Sequence, residues 1–131
     1  SRTIRYDNLK SARAEETVVV LALREPALLD QAKGLQPEMF SSPLLGKAYS
    51  QMCDRHIQGL DITLGALAGF EPEERSHLAG LLRQQEGPIN EQAFLDCVQT
   101  IRQEHQSSKV ETEADLMAFR ERMKERKGIR G

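Results

Sequence analysis

Apolar residues recur along the chain mainly at helical spacing. In the clearest segment, which follows a potential cap at Asn90, they fall at i, i+3, i+4 and i+7: Phe94, Cys97, Val98 and Ile101. The longest apolar run, residues 18–23, contains three consecutive valines. The run is compatible with a buried strand and with a helix that is apolar on every side. Good helix formers flank this run on both sides, so we expect a central, buried helix.

Capping residues, prolines and glycines divide the chain into about seven helices with no strand. Asp7, Asn8 or Ser11 caps the first helix, which extends to about residue 25. Ser42-Pro43 and Glu71-Pro72 carry the residue types preferred at helix starts. Further starts and ends are indicated at Pro26, Gly34, Gly59, Thr63 and Gly69.

The polar stretch at residues 103–109 separates the long helix from a last, basic one. Thr112 is followed three residues later by Asp115, the hydroxyl-to-acid spacing of a capping box. A new helix is therefore expected from about residue 113 to about residue 127. We predict an all-α fold, with a bundle of about five to six helices followed by a C-terminal helical hairpin whose weak point is Ser107-Ser108.

Length and composition fit one folded domain with an appendage. The chain has 131 residues, of which 39% are hydrophobic and 29% are charged. Residues 1–8 are expected to be the end of a linker, residues 9–89 the helical bundle, and residues 90–131 the long helix and the hairpin. Because the first residue is Ser1 rather than methionine, we expect the chain to be a piece of a longer protein or a trimmed product.

The distribution of charge limits the classes of partner. The 18 basic and 20 acidic side chains give a net charge of −2, whereas nucleic-acid binding needs a surplus of Lys and Arg. Residues 61–110 carry a net charge of −4 and residues 120–131 a net charge of +4. Single-strand binding by the basic end therefore stays an alternative. No apolar run approaches the roughly 18 residues of a membrane helix. We expect no signal peptide, because the N-terminus is polar and basic and no apolar h-region follows it.

No motif of enzyme chemistry occurs in the sequence. His56, His77 and His105 lack the spacing of a zinc site, and the acids after Gly69 are interpreted as residues of a helix N-terminus. The two cysteines, Cys53 and Cys97, are interpreted as reduced, intracellular thiols. We therefore expect no catalytic residue, no metal and no cofactor.

The last helix has the pattern of a protein-binding face. Three large apolar residues share one side at i, i+3 and i+7, and basic residues surround them. The predicted partner-binding residues are Leu116, Phe119, Arg120, Met123, Lys124, Arg126 and Lys127. The alternative is a terminal helix that docks on its own bundle with a solvated basic face. A membrane surface is disfavoured because only three large apolar residues form the face.

The order of these segments resembles the C-terminal domain of bacterial DNA primase of the DnaG type. Residues 14–29 match its opening, in which Ala-Glu precedes an aliphatic helix and a proline with a leucine pair begins the next. Residues 39–43 resemble the Phe-Ser lead-in to its third helix, and residues 71–74 with the following leucines resemble a later helix. Residues 117–128 are similar to its basic tail.

This resemblance implies a helicase-interaction domain rather than an enzyme. The domain would bind the hexameric replicative helicase (DnaB type) through the helicase's N-terminal domains, in the bacterial cytoplasm at the replication fork. It would couple RNA primer synthesis to unwinding and modulate helicase activity, while the parent protein would be a DNA-directed RNA polymerase. One alternative is the related N-terminal domain of the helicase itself, which the basic end disfavours. Another is a generic helical protein-interaction domain.

Overall fold

The computed structural model describes the backbone of residues 4–129 and the side chains up to Lys124. Over residues 4–129 the regular structure is entirely helical, which confirms the predicted all-α class. The four α-helices are α1 (Leu9–Arg24), α2 (Pro43–Ile57), α3 (Pro72–Gln84) and α4 (Glu91–Ile129). Three short 3₁₀ helices span Pro26–Gln31, Pro37–Met39 and Leu64–Ala66. The first and last of these replace the short helices expected after Pro26 and Thr63.

The central element of the bundle is α1. It begins at one of the predicted caps, because the Asn8 side-chain oxygen accepts a hydrogen bond from the Ser11 amide at 3.1 Å. Its middle, from Val18 to Ala22, is buried, since α2, α3 and α4 all pack against it. The valine run is therefore helical. Packing on every side outweighs the preference of adjacent β-branched residues for a strand.

The starts of α2 and α3 follow their predicted signals. The Ser42 hydroxyl accepts a hydrogen bond from the Leu45 amide at 3.2 Å, and Pro43 occupies the first helical position. A capping box begins α3, in which the Glu74 carboxylate accepts a hydrogen bond from the Glu71 amide at 2.7 Å. These local bonds satisfy backbone amides that have no partner within the helix.

Side chains from all four α-helices share one apolar core. Its largest fully buried members include Tyr49, Phe94, Leu45, Met52, Leu78 and Ile101. The Tyr49 hydroxyl donates to the Leu35 carbonyl at 3.1 Å, so its polar group is satisfied inside the core. The first half of α4 belongs to this core, because Phe94, Val98 and Ile101 are buried in it. Cys97, predicted on the same face, is half-buried at its edge.

A buried carboxylate joins α1 to the start of α2. Glu15 has no exposed surface, and its two oxygens accept four hydrogen bonds. The donors are the Ser11 hydroxyl at 2.5 Å, the Ser41 amide and hydroxyl at 2.9 and 2.7 Å, and the Ser42 amide at 3.0 Å. Burial of a carboxylate is unfavourable without such donors. The four bonds therefore offset that cost and fix the loop before α2 against α1.

The predicted C-terminal hairpin is replaced by one continuous helix, α4. Residues 103–109 contain neither glycine nor proline, so their polarity alone does not interrupt the helix. Thr112 does not cap a new helix. Its hydroxyl instead donates to the Ser108 carbonyl at 3.0 Å, the bond that a threonine makes inside a helix.

We expect Glu15→Gln to lower the free energy of unfolding by about 2–3 kcal/mol, because the amide removes the charge and turns an NH₂ group toward donors. Urea unfolding followed by far-UV circular dichroism measures this change. Glu25→Gln, an exposed position next to the end of the same helix, is the control and should change stability by less than about 0.5 kcal/mol. Equal effects of the two substitutions would contradict the role of Glu15.

Continuity of α4 predicts a long distance between its ends. Spin labels at Gln92 and Lys124, which are 32 residues apart, should lie about 48 Å from each other along the helix axis. A hairpin that turns at Ser107-Ser108 would bring the two positions to roughly 10 Å. Double electron–electron resonance separates these results, with the native Cys53 and Cys97 replaced by alanine. A population at the short distance would contradict the continuous helix.

Candidate partner-binding face

The second half of α4 extends beyond the bundle. Every residue from Gln106 to Lys124, here called the distal segment, is exposed. In the first half, by contrast, Phe94 and Ile101 have no exposed surface. At 1.5 Å per residue the distal segment is about 27 Å of helix without tertiary cover. The alternative in which the last helix docks on its own bundle does not describe this segment.

Three apolar side chains form a line along the distal segment, here called the distal stripe. Leu116, Phe119 and Met123 are 52, 55 and 40% exposed. Their spacing of three and four residues places them on one face of the helix, as predicted. Exposed apolar residues scattered singly are ordinary, but a line of large ones on a bare helix is typical of an interaction surface.

The distal stripe continues the face by which α4 packs on the bundle. Steps of three and four residues run along this face through Ile101, His105, Ser108, Thr112 and Leu116. One side of α4 is therefore buried within the bundle, then polar for about two turns, and then apolar again. A partner seated on the distal stripe approaches from the side on which the bundle lies.

Basic side chains border the distal stripe on both sides. Arg120 and Lys124 lie along one edge, and Arg122 lies along the other. Lys124 is 3.8 Å from the Glu121 carboxylate, an exposed i, i+3 ion pair that contributes little to stability. Of the predicted binding residues, Arg126 and Lys127 lie beyond the side chains that the structure describes.

Two further apolar side chains of the distal segment were not among the predicted residues. Val110 is 52% exposed and Met117 is 65% exposed. Both lie roughly a third of a turn away from the distal stripe. With Ala114 they stand at i, i+4 and i+7, but the middle residue is a small alanine, so this line has less apolar surface than the distal stripe.

A groove at the base of the distal segment was also not predicted. Its volume is about 640 Å³, and the N-terminus of α1, the loop before α2 and the middle of α4 line it. Leu9, Met39 and Phe40 supply apolar surface, while Glu104 and Glu111 supply carboxylates. Because these residues come from three distant parts of the chain, no linear motif indicates the groove.

The N-terminal residues pack on the bundle through a small polar cluster. The Tyr6 hydroxyl donates to the Glu16 carboxylate at 2.8 Å and lies 2.6 Å from His77 Nε2. Burial, together with the hydrogen bond to Glu16, raises the pKa of Tyr6 above its ordinary value. The contacts tie the segment before α1 to α1 and α3, so part of the expected linker end belongs to the folded body.

The cysteines have the environment of structural thiols. Cys53 and Cys97 are both half-buried, and burial raises the pKa of each thiol above its ordinary value. A raised pKa reduces the thiolate fraction at neutral pH, and the thiolate is the nucleophile. Neither side chain is therefore activated for covalent chemistry.

The described residues also bear on metal binding and on membrane spans. Among the residues that the structure describes, no group of three or more His, Cys, Asp or Glu side chains is placed to hold a metal ion. None of the helices within residues 4–129 is long and apolar enough to span a bilayer. Comparison of the chain with protein-family models, with curated proteins and with solved structures finds no match. The candidate site is the distal stripe, because its three large apolar side chains are exposed on one face of the helix.

Proposed function

We propose that this chain is the helicase-interaction domain of a bacterial primase of the DnaG type. In this proposal it binds the N-terminal domains of the hexameric replicative helicase and couples RNA primer synthesis to fork unwinding. The chain itself contributes binding, and polymerisation belongs to another part of the parent protein. The proposal rests on the resemblance of residues 14–29, 39–43, 71–74 and 117–128 to such domains.

The observation that carries a binding role is the exposed distal stripe. A helix anchored at one end in a bundle and bare at the other presents Leu116, Phe119 and Met123 in fixed positions. Large apolar side chains surrounded by arginines are the composition found at the centres of protein interfaces. Such a helix fits a groove between partner helices, which contacts side chains at i, i+3 and i+7.

A protein partner explains the distal segment better than a nucleic acid does. Glu111, Glu113 and Asp115 lie in the same exposed segment as the arginines. Carboxylates at these positions oppose the approach of a phosphate backbone, whose binding depends on uncompensated cations. Apolar side chains aligned on one face have no counterpart on that backbone.

The body of the domain supplies a second, weaker surface for the same partner. Residues 61–110 carry a net charge of −4, and charge at the rim of an interface affects the association rate and orientation more than the affinity. We infer that this acidic surface modulates the helicase once the distal segment has bound it.

Phe119→Asp tests the proposed contact. Removing an apolar anchor and burying a charge at an interface centre should weaken helicase binding by about 30- to 1,000-fold. Met117→Asp is the matched control, because Met117 is more exposed and lies on another side of the same helix. Binding to the helicase of the same organism is measured by isothermal titration calorimetry, with circular dichroism to verify helix content.

The outcomes separate the alternative functions. Equal binding by wild-type and Phe119→Asp chains would remove the distal stripe from the helicase contact. No binding by the wild-type chain would favour a generic interaction domain or the N-terminal domain of the helicase itself. Tight single-strand binding with a steep salt dependence would favour the nucleic-acid alternative.

A further inference from the structure

The distal segment carries opposite charges at its two ends. Its first part contains Glu111, Glu113 and Asp115, and its last part contains Arg120, Arg122 and Lys124. Leu116 and Phe119 of the distal stripe lie between the acidic group and the basic group. The apolar centre of the segment is therefore also the point at which its charge changes from negative to positive. The segment therefore has the charge pattern of a helix that is complementary to its own reversed copy.

The charges also sit at matching positions around the helix. Glu113 and Arg120 are seven residues apart and lie on one flank of the distal stripe. Asp115 and Arg122 are likewise seven residues apart and lie on the other flank. In a pair of antiparallel helices, each flank faces the same flank of the partner. On one flank, Glu113 of each copy therefore lies opposite Arg120 of the other copy. On the other flank, Asp115 of each copy lies opposite Arg122 of the other copy.

We propose that two copies of this chain associate through antiparallel pairing of their distal segments. A two-fold axis between positions 117 and 118 places Leu116 of each copy against Phe119 of the other. Met123 then packs against Thr112 of the second copy at both ends of the interface. The same register pairs Glu113 with Arg120, and Asp115 with Arg122, across the interface.

The overhang is long enough for this arrangement. The residues that pair in this register, 112–123 of each copy, all lie in the exposed distal segment. Because the two helices are antiparallel, the two bundles lie at opposite ends of the paired segment. Parallel pairing is disfavoured because it would place Glu113 beside Glu113 and Arg120 beside Arg120.

The predicted dimer is weak and reversible. Three apolar side chains from each copy form its centre, and exposed ion pairs add little. If the proposed function also holds, self-association covers the helicase-binding stripe, so that the two assemblies exclude each other. That consequence depends on the proposed function, whereas the dimer itself is tested with this chain alone.

Charge exchange tests the pairing directly. Sedimentation equilibrium of the intact chain between about 10 µM and about 1 mM covers the range in which small interfaces associate. Glu113→Lys alone and Arg120→Glu alone each create two like-charge contacts, so each should dimerise about 10-fold more weakly than wild type. An equimolar mixture of the two variants restores both contacts and should recover wild-type association.

Two matched variants distinguish this pairing from a general effect of charge or of misfolding. Glu121→Lys makes the same charge change on the side of the helix opposite the distal stripe and should leave dimerisation unchanged. Phe119→Asp should abolish dimerisation while circular dichroism stays helical. A wild-type chain that is monomeric up to about 1 mM would overturn the proposal. A mixture that associates no better than the separate variants would overturn the antiparallel register.

Discussion

The bundle depends on one buried carboxylate. Glu15 is fully buried on α1 and holds the loop that precedes α2 by three hydrogen bonds from Ser41 and Ser42. The Ser42 hydroxyl remains free to cap α2, so a tertiary contact and a helix start share one short segment. With α2 fixed against α1, the remaining face of α1 is available to the first half of α4. The first half of α4 occupies that face, where Phe94, Val98 and Ile101 join the apolar core.

The two halves of α4 differ in what stabilises them. Phe94, Val98 and Ile101 bury the first half against the core, whereas the distal segment has only its own backbone bonds and local side-chain pairs. An isolated helix of this length is marginal in water, but here the packed half serves as its nucleus. We therefore expect the distal segment to have a lower local stability than the packed half of α4. A partner that covers the distal stripe would stabilise this helix as well as bind it.

Local signals in the sequence predicted most of the fold. The helix starts at Asn8, Ser42 and Glu71 were predictable because each involves hydrogen bonds to residues only three positions away. The error at residues 103–109 arose because a polar stretch and a hydroxyl-to-acid spacing are equally compatible with the interior of an exposed helix. The role of Glu15 was not predicted because three of its four hydrogen bonds come from Ser41 and Ser42, 26 and 27 residues later in the chain. The distal stripe was predicted from spacing, but the groove formed by Leu9, Phe40 and Glu104 requires the tertiary structure.

The distal segment is bare in the free chain, and we propose that the helicase covers it in the complex. Hydrogen–deuterium exchange of the intact chain, alone at low concentration and then with the helicase, measures this amide by amide. We predict fast exchange from Gln106 to Lys124 in the free chain, slow exchange in the first half of α4, and strong protection of the distal segment in the complex. Protection confined to α1, α2 and α3, with the distal segment unchanged, would contradict this proposal.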